Sequence, residues 1–251
     1  MRLDSRKENI LDFIVRDYVR TASPVSSERV NKKVSLGVSP ATIRNTMLEL
    51  DNGGFLEQPH TSAGRTPTDK GYRYFIQNLM RLKEPEAYIR RSMDKIFVQP
   101  GEIFEELNSA ISGHLGLFSA IFLEDENRFF KHGLSEVLKE PEFMEQNRAV
   151  DFVNLTEHLE KVVSEIFGGQ NKKSEEPEFT IGEFGMAGML FEDENWGRFA
   201  MISLGPRRMN YEKAGSVLKY AKGDVSRRKV GTPTSLLKNI ISASGKNKRR
   251  K

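Results

Sequence analysis

Three helical segments, the first and third with an apolar stripe at helical spacing, fall within the first 51 residues, separated by two strong breaks. Residues 4–20 put Ile10, Leu11, Ile14, Val15, Tyr18 and Val19 on one face, with Arg6, Glu8, Asp12, Arg16 and Asp17 mostly outside it. Pro24 ends that pattern because it disfavours a helical residue before it. Ser26 is a good cap for a short helix carrying Ser27, Glu28, Arg29, Val30, Lys32 and Lys33. The next break is Leu36-Gly37-Val38, where Gly37 can take positive φ. Ser39 then caps a third helix and Pro40 occupies its first position, where a missing N–H is no loss. That helix is expected to run through about Asp51, with Ile43, Met47 and Leu50 on one narrow arc. Leu48 lies off the arc and is expected to pack on another part of the domain.

A helix, a short turn with Gly, and a second helix with small and hydrogen-bonding residues near its start form the pattern of a helix-turn-helix. The outward residues of the second helix suit a DNA major groove. Arg44 can donate two bonds to guanine, Asn45 can pair with adenine, and Ala41 and Thr42 can touch a thymine methyl. The same pattern also fits an ordinary helical hairpin with a polar outside.

The next segment favours the first reading. Gly53-Gly54 is expected to end the helix through positive φ, and Phe55 to Gln58 reads as a strand. Thr61 to Arg65 reads as a tight turn with Arg65 near its tip, and a short return strand leads to Thr66-Pro67-Thr68-Asp69. There Thr66 is the expected cap and Pro67 the first helical residue, before an apolar face of Tyr72, Phe75, Ile76, Leu79 and Met80. A hairpin after a recognition helix is a wing, whose Arg65 would reach a minor groove or a phosphate; a surface salt bridge is the alternative.

These residues carry a resemblance. Pro24-Val25-Ser26-Ser27, the run Leu36 to Asn45, the unbroken segment Gly54 to Pro67, and Lys70-Gly71-Tyr72-Arg73 are similar to the HrcA family of bacterial heat-inducible transcription repressors. The resemblance implies a winged helix that binds an inverted-repeat operator upstream of chaperone operons, and a dependence on the chaperonin GroEL. In such a repressor base reading is expected of Ala41, Thr42, Arg44 and Asn45, and backbone positioning of Ser26, Ser39, Ser62, Arg65, Lys70, Tyr72 and Arg73.

Beyond a linker at residues 84–101, which opens on Glu84-Pro85-Glu86 and in which Tyr88 to Phe97 can be helical, short strands and helices alternate. Residues 102–115 read as a helix and Leu117 to Leu123 as a buried strand, with a second strand near Phe129 to Leu134. Phe143 to Phe167 reads as a helix burying Val150, Phe152, Val153, Leu155, Leu159, Val162, Val163 and Ile166. Phe179 to Phe184 is an expected strand, Ala187 to Phe191 and Gly197 to Leu204 an expected hairpin, and Tyr211 to Tyr220 a final helix. The blocks His132 to Leu138 with Pro141-Glu142-Phe143, and Gly197 to Tyr211, also resemble HrcA, more weakly. They imply a GAF-like regulatory domain at residues 102–222, reduced because only Glu124 to Arg128 bridges a gap that is longer in the family and holds its dimerisation insert. The fold class expected is therefore α+β: a winged helix over residues 1–83, the linker, the GAF-like domain, and a basic, disordered tail at 223–251.

Charge is divided the same way. Residues 1–83 hold 14 Lys and Arg against nine Asp and Glu, residues 84–218 hold 14 against 25, and residues 219–251 hold 11 against one. Basic ends suit phosphate contact and the tail Lys246 to Lys251 could hold nucleic acid non-specifically. Zero cysteines exclude disulfides and thiol chemistry. No apolar run reaches the ~18 residues of a membrane span, and the charged N-terminus does not read as a signal peptide, so a cytoplasmic location is expected. His60, His114, His132 and His158 show no metal spacing, and Gly182, Gly185 and Gly188 do not form a phosphate cradle. No catalytic residue, metal or cofactor is expected. The leading expectation is a dimeric repressor on double-stranded operator DNA. The alternatives are a small-molecule sensor gated by the GAF-like domain and a non-specific nucleic-acid coat held by the tail.

Overall fold

The computed structural model describes residues 2–34, 37–59, 64–96, 103–169, 175–193 and 196–227. Helix α1 (Ser5–Thr21) starts where the Asp4 carboxylate accepts from the Lys7 amide, and stops at Ala22, whose φ of 51° turns the chain. Its buried stripe is Ile10, Leu11, Ile14 and Val15. Asp17 joins that stripe rather than the polar face expected for it, because Arg20 and Arg29 close on its carboxylate. A buried charge is tolerated when it is paired in this way.

Helix α2 (Ser27–Lys33) is capped by Ser26, which accepts from the Arg29 amide. Gly37 takes a φ of 64° in the turn that follows. Ser39 caps α3 (Pro40–Asn52) by accepting from the Thr42 amide, with Pro40 in the first turn. Ile43, Met47 and Leu50 face inward as their spacing requires, joined by Thr46, whose hydroxyl donates to the Thr42 carbonyl. Leu48 is a correction: it remains 52% exposed. Of the two glycines that end α3, Gly53 is right-handed and only Gly54 takes positive φ, at 73°.

Strands β1 (Leu56–Glu57) and β2 (Thr66–Pro67) pair antiparallel, Leu56 opposite Pro67. Below them Val25 and Arg65 exchange backbone hydrogen bonds of 2.9 Å in both directions. Because Thr66 and Pro67 belong to β2, neither starts the next helix as expected. Thr68 caps α4 (Asp69–Tyr74), accepting from the Gly71 amide. Gly71 is where α4 passes the chain just before β1: a Cβ there would lie 2.2 Å from the Phe55 carbonyl oxygen. A single π-helical turn, Phe75–Leu79, prolongs α4.

The segment after Glu86 is more than a connector. Helix α5 (Ala87–Ile96) buries Ile89 and Met93 completely. After it come α6 (Ile103–Leu115), β3 (Phe118–Leu123), β4 (Arg128–His132), α7 (Leu134–Val137), a 3₁₀ turn at Pro141–Met144 and α8 (Gln146–Gly169). The chain then runs through β5 (Glu178–Ile181), β6 (Phe184–Asp193), β7 (Gly197–Pro206) and α9 (Tyr211–Arg227). The five longer strands form one antiparallel sheet in the order β4-β3-β7-β6-β5. Its strands β3 and β7 are mostly apolar on both faces because both faces are covered, with Ser119 and Ser203 the buried polar exceptions. Phe118, Ala120 and Phe122 of β3 and Ala200, Ile202 and Leu204 of β7 share one cluster with Phe143, and with Phe152, Leu159 and Val163 of α8. Ile121, Leu123, Phe199 and Met201 alternate to the other face, toward Leu107 and Ile111 of α6 and Val217 and Leu218 of α9. That second cluster runs unbroken into Ile10, Ile14, Leu50 and Tyr72, so the three-helix unit and the sheet share one core.

The fold class is α+β, with four departures in the second half. The 3₁₀ turn separates Phe143 from α8, and Val150, expected inside, is half exposed. Strand β6 starts at Phe184 because Phe184 pairs with Pro206. Helix α9 continues to Arg227. The Val98 to Gly101 turn and the tail beyond 227 lie outside the described residues, as do the side chains of Val162 and Ile166. No helix among the described residues is long and apolar enough to cross a membrane.

Candidate nucleic-acid interface

The Ser39 cap and the buried arc of α3 together set which residues that helix shows to solvent. Ala41, Arg44 and Asn45 are exposed, and Thr42 is half-buried with its hydroxyl 2.9 Å from that of Ser39. The Arg44 Nε reaches the Ser27 hydroxyl at 3.5 Å, at the limit of a hydrogen bond, so α2 touches the side chain without absorbing its charge. Arg44 carries five N–H donors, and its two terminal nitrogens are the pair that forks onto a guanine edge or a phosphate. The Val25–Arg65 bridge brings the base of the hairpin beside Ser26, whose side chain is exposed. Ser26, Ser39, Ala41, Thr42, Arg44 and Asn45 thus belong to one accessible region around the start of α2 and the start of α3.

The other expected residues do different work in the fold. Arg65 sits at the base of the hairpin, in an ion pair with Asp51 at the end of α3. Lys70 donates to the Gly53 carbonyl at 2.7 Å and lies 4.5 Å from the centre of the Phe55 ring, closing the end of α3 although its side chain is exposed. Arg73 donates to the Ile181 carbonyl at 3.4 Å, across to the sheet. Tyr72 is a correction: it is wholly buried beside Tyr211, their ring centres 6.0 Å apart, and has no surface to offer a phosphate. Burial drives its hydroxyl well above the usual tyrosine range. Ser62 lies outside the described residues.

Three residues that the sequence reading passed over hold this surface in place. Asp17 accepts from Arg29 at 2.9 Å, which ties the body of α2 to α1. Arg207 reaches Asp69 at 3.0 Å and Glu57 at 3.5 Å, so the β7–α9 turn grips both the hairpin and α4. Arg208 donates to the Val19 carbonyl at 3.0 Å and pairs with Glu140 and Glu142. Burial works against its charge, but Glu142 and Glu140 more than offset that and raise its pKa. The available signals were a charge one position from an apolar stripe, for Asp17, and two consecutive arginines after a Gly-Pro turn. Among the described residues no group of three or more His, Asp or Glu is placed to hold a metal ion.

A family described as "HrcA protein C terminal domain" matches residues 74–214. This chain belongs to the HrcA family. The heat-inducible transcription repressor HrcA of Pelotomaculum thermopropionicum is 43% identical over 130 residues, which are 50% of this chain and 37% of that relative. The protein of the same name from Moorella thermoacetica is 44% identical over 116 residues, 45% of this chain and 34% of the relative. That from Thermoanaerobacter sp. is 52% identical over 81 residues, 32% and 24% of the two lengths. The matched segments therefore span about a quarter to a little over a third of these curated HrcA relatives. A crystal structure described as a hypothetical protein shares the fold, with a TM-score of 0.65 at 17% identity over 90% of this chain and 97% of the other.

Proposed function

We propose that this chain is a sequence-specific DNA-binding repressor of chaperone operons, which binds an inverted-repeat operator as a dimer and lets go on heat stress. The observation that carries this reading is α3 itself, in a chain of the HrcA family. It is capped at Ser39 and buried along Ile43, Met47 and Leu50, and it leaves Ala41, Arg44 and Asn45 exposed. A helix held by one narrow face and polar on the rest can enter a groove about 12 Å wide. With β1 and β2 as the wing, residues 1–83 form a winged helix. Residues 102–222 form a reduced GAF-like regulatory domain, with α5 docked on it.

In this reading Ala41, Thr42, Arg44 and Asn45 meet base edges, and Ser26, Ser39, Ser62 and Lys70 hold the phosphate backbone. Arg65, from within its pair with Asp51, and Arg73, which is exposed, contribute positive potential. Tyr72 has no part in it. Two copies would meet two half-sites, with operator symmetry mirroring protein symmetry. Release on heating follows if the active conformation is maintained by GroEL, the partner that the family resemblance suggests.

The test is an electrophoretic mobility shift with a duplex carrying two half-sites of a chaperone promoter, beside a scrambled duplex of equal length. A shift selective for the first and persisting at physiological salt is expected. Equal shifts on both, lost together as salt rises, would replace this reading with a non-specific coat.

A further inference from the structure

A cleft of about 700 Å³ opens between the C-terminal half of α1 and the second half of the chain, where the turns after α6 and β7 meet it. It is large enough for a small organic ligand. Its floor is apolar: Val15, Phe75, Leu117, Met209 and Tyr211 line it, and all are buried. Its rim is basic. Arg16 and Arg20 enter from α1, and Arg208 and Lys213 from the opposite side, against Glu140 alone among the acidic lining residues.

Those cations differ in what they have left to give. Arg208 is consumed by the fold, with Nε, Nη1 and Nη2 all donating to Glu142, the Val19 carbonyl and Glu140. Arg16 uses Nε on Asp12 and Nη1 on Glu212, which leaves Nη2. Lys213 spends one of its three N–H donors on the His114 carbonyl. The Arg16 guanidinium also lies 5.1 Å from the centre of the Phe75 ring, so a donor stands directly over the apolar floor. An apolar floor under spare donors is a site for a molecule with an apolar body and an anionic head.

We propose that this cleft binds a small anionic amphiphile, a carboxylate or phosphate monoester with a short apolar chain, its head between Arg16 and Lys213 and its body over Phe75 and Leu117. Such a ligand touches at once α1, which packs on α3, and α9, which packs on the sheet. Its effect on operator binding rests on the function proposed above; the binding itself does not.

The experiment uses the full chain with octanoate, octyl phosphate and octylammonium, all below their micellar concentrations. Calorimetric titration and thermal unfolding are followed for the wild type, Val19→Trp and Leu115→Trp, which fill the cleft from opposite walls. Saturable one-to-one binding of octanoate or octyl phosphate is expected, with a rise in Tm of a few degrees at saturation. The two anions distinguish a carboxylate from a phosphate head. Either tryptophan variant that folds should bind at least roughly tenfold more weakly. Octylammonium binding as well as the anions, no saturable binding of either anion, or unchanged binding in a folded tryptophan variant would overturn the proposal. If neither variant folds, the anion-against-cation contrast in the wild type decides it. A chain that binds octanoate at this cleft but shifts no operator keeps this inference and loses the repressor reading.

Discussion

Helices α3 and α4 begin alike and serve opposite ends. Each is opened by a hydroxyl side chain, Ser39 or Thr68, that accepts from an amide three residues on. Each carries residues that the sequence reading sent to DNA. In α3 those residues reach solvent, because the helix buries only the arc of Ile43, Thr46, Met47 and Leu50. In α4 Tyr72 is turned inward against Tyr211 of α9, while Arg73 stays exposed and reaches the β5 carbonyl of Ile181. A cap states where a helix starts. Which of its faces stays wet depends on how many other elements lie against it, and α4 is enclosed where α3 is open.

The contrast is most exposed at Tyr72. Tyr72→Ala should cost about 3–5 kcal/mol of stability by urea unfolding, as for other large buried aromatics. Tyr72→Phe should be neutral or slightly stabilising, since the buried hydroxyl has no hydrogen-bond partner among the described residues. If Tyr72→Ala instead left stability intact and weakened DNA binding, α4 would belong with α3 after all. Arg65 comes next. Arg65→Ala leaves a half-buried Asp51 carboxylate unpaired and should destabilise the fold by about 1–3 kcal/mol.

Arg44→Ala tests the open side of the comparison. It should leave the urea midpoint within experimental scatter while costing about 1–3 kcal/mol of operator affinity and relaxing one base position in a binding competition. Smaller still, Leu48→Ala should change stability by less than about 0.5 kcal/mol, since that side chain is already half in water.

The smallest effect concerns pH. Burial, and then the nearby Lys213 charge, hold the His114 pKa below its ordinary value near 6.5. A depressed histidine binds its proton more readily unfolded than folded, so stability should fall as pH drops from about 6.5 toward the folded pKa and level off below it. Comparing urea midpoints at pH 7.5 and 5.5 for wild type and His114→Gln isolates that increment. An unchanged difference between the two pH values would assign the slope to other groups.

Much of the first half was legible because its signals are local. Ser26, Ser39 and Pro40 mark helix starts through geometry that involves three or four neighbouring residues, and Gly37 marks a turn through its own φ. The strand Phe118–Leu123 was legible for a similar reason, an apolar run bounded by charge. The misplaced cap shows the limit. Thr66-Pro67 is as good a helix start as Thr68-Asp69 until Leu56 and Glu57 pair with it and claim both residues for a strand. Asp17 shows the same limit in charge, since its burial requires Arg29, twelve residues away.

The amino-acid order alone thus determined the caps, the breaks, the buried arc of α3 and the α+β alternation, because each depends on contacts within a turn or on strict periodicity. Packing at a distance decided the rest. It took Tyr72 from the surface, turned Arg73 toward the Ile181 carbonyl, and left a basic-rimmed cleft between α1 and the turns after α6 and β7. The burial of Tyr72 against Tyr211 and the reach of Arg73 to Ile181 depend on which apolar faces meet across more than a hundred residues of chain, and burial of that kind leaves no local mark on the residues it enlists.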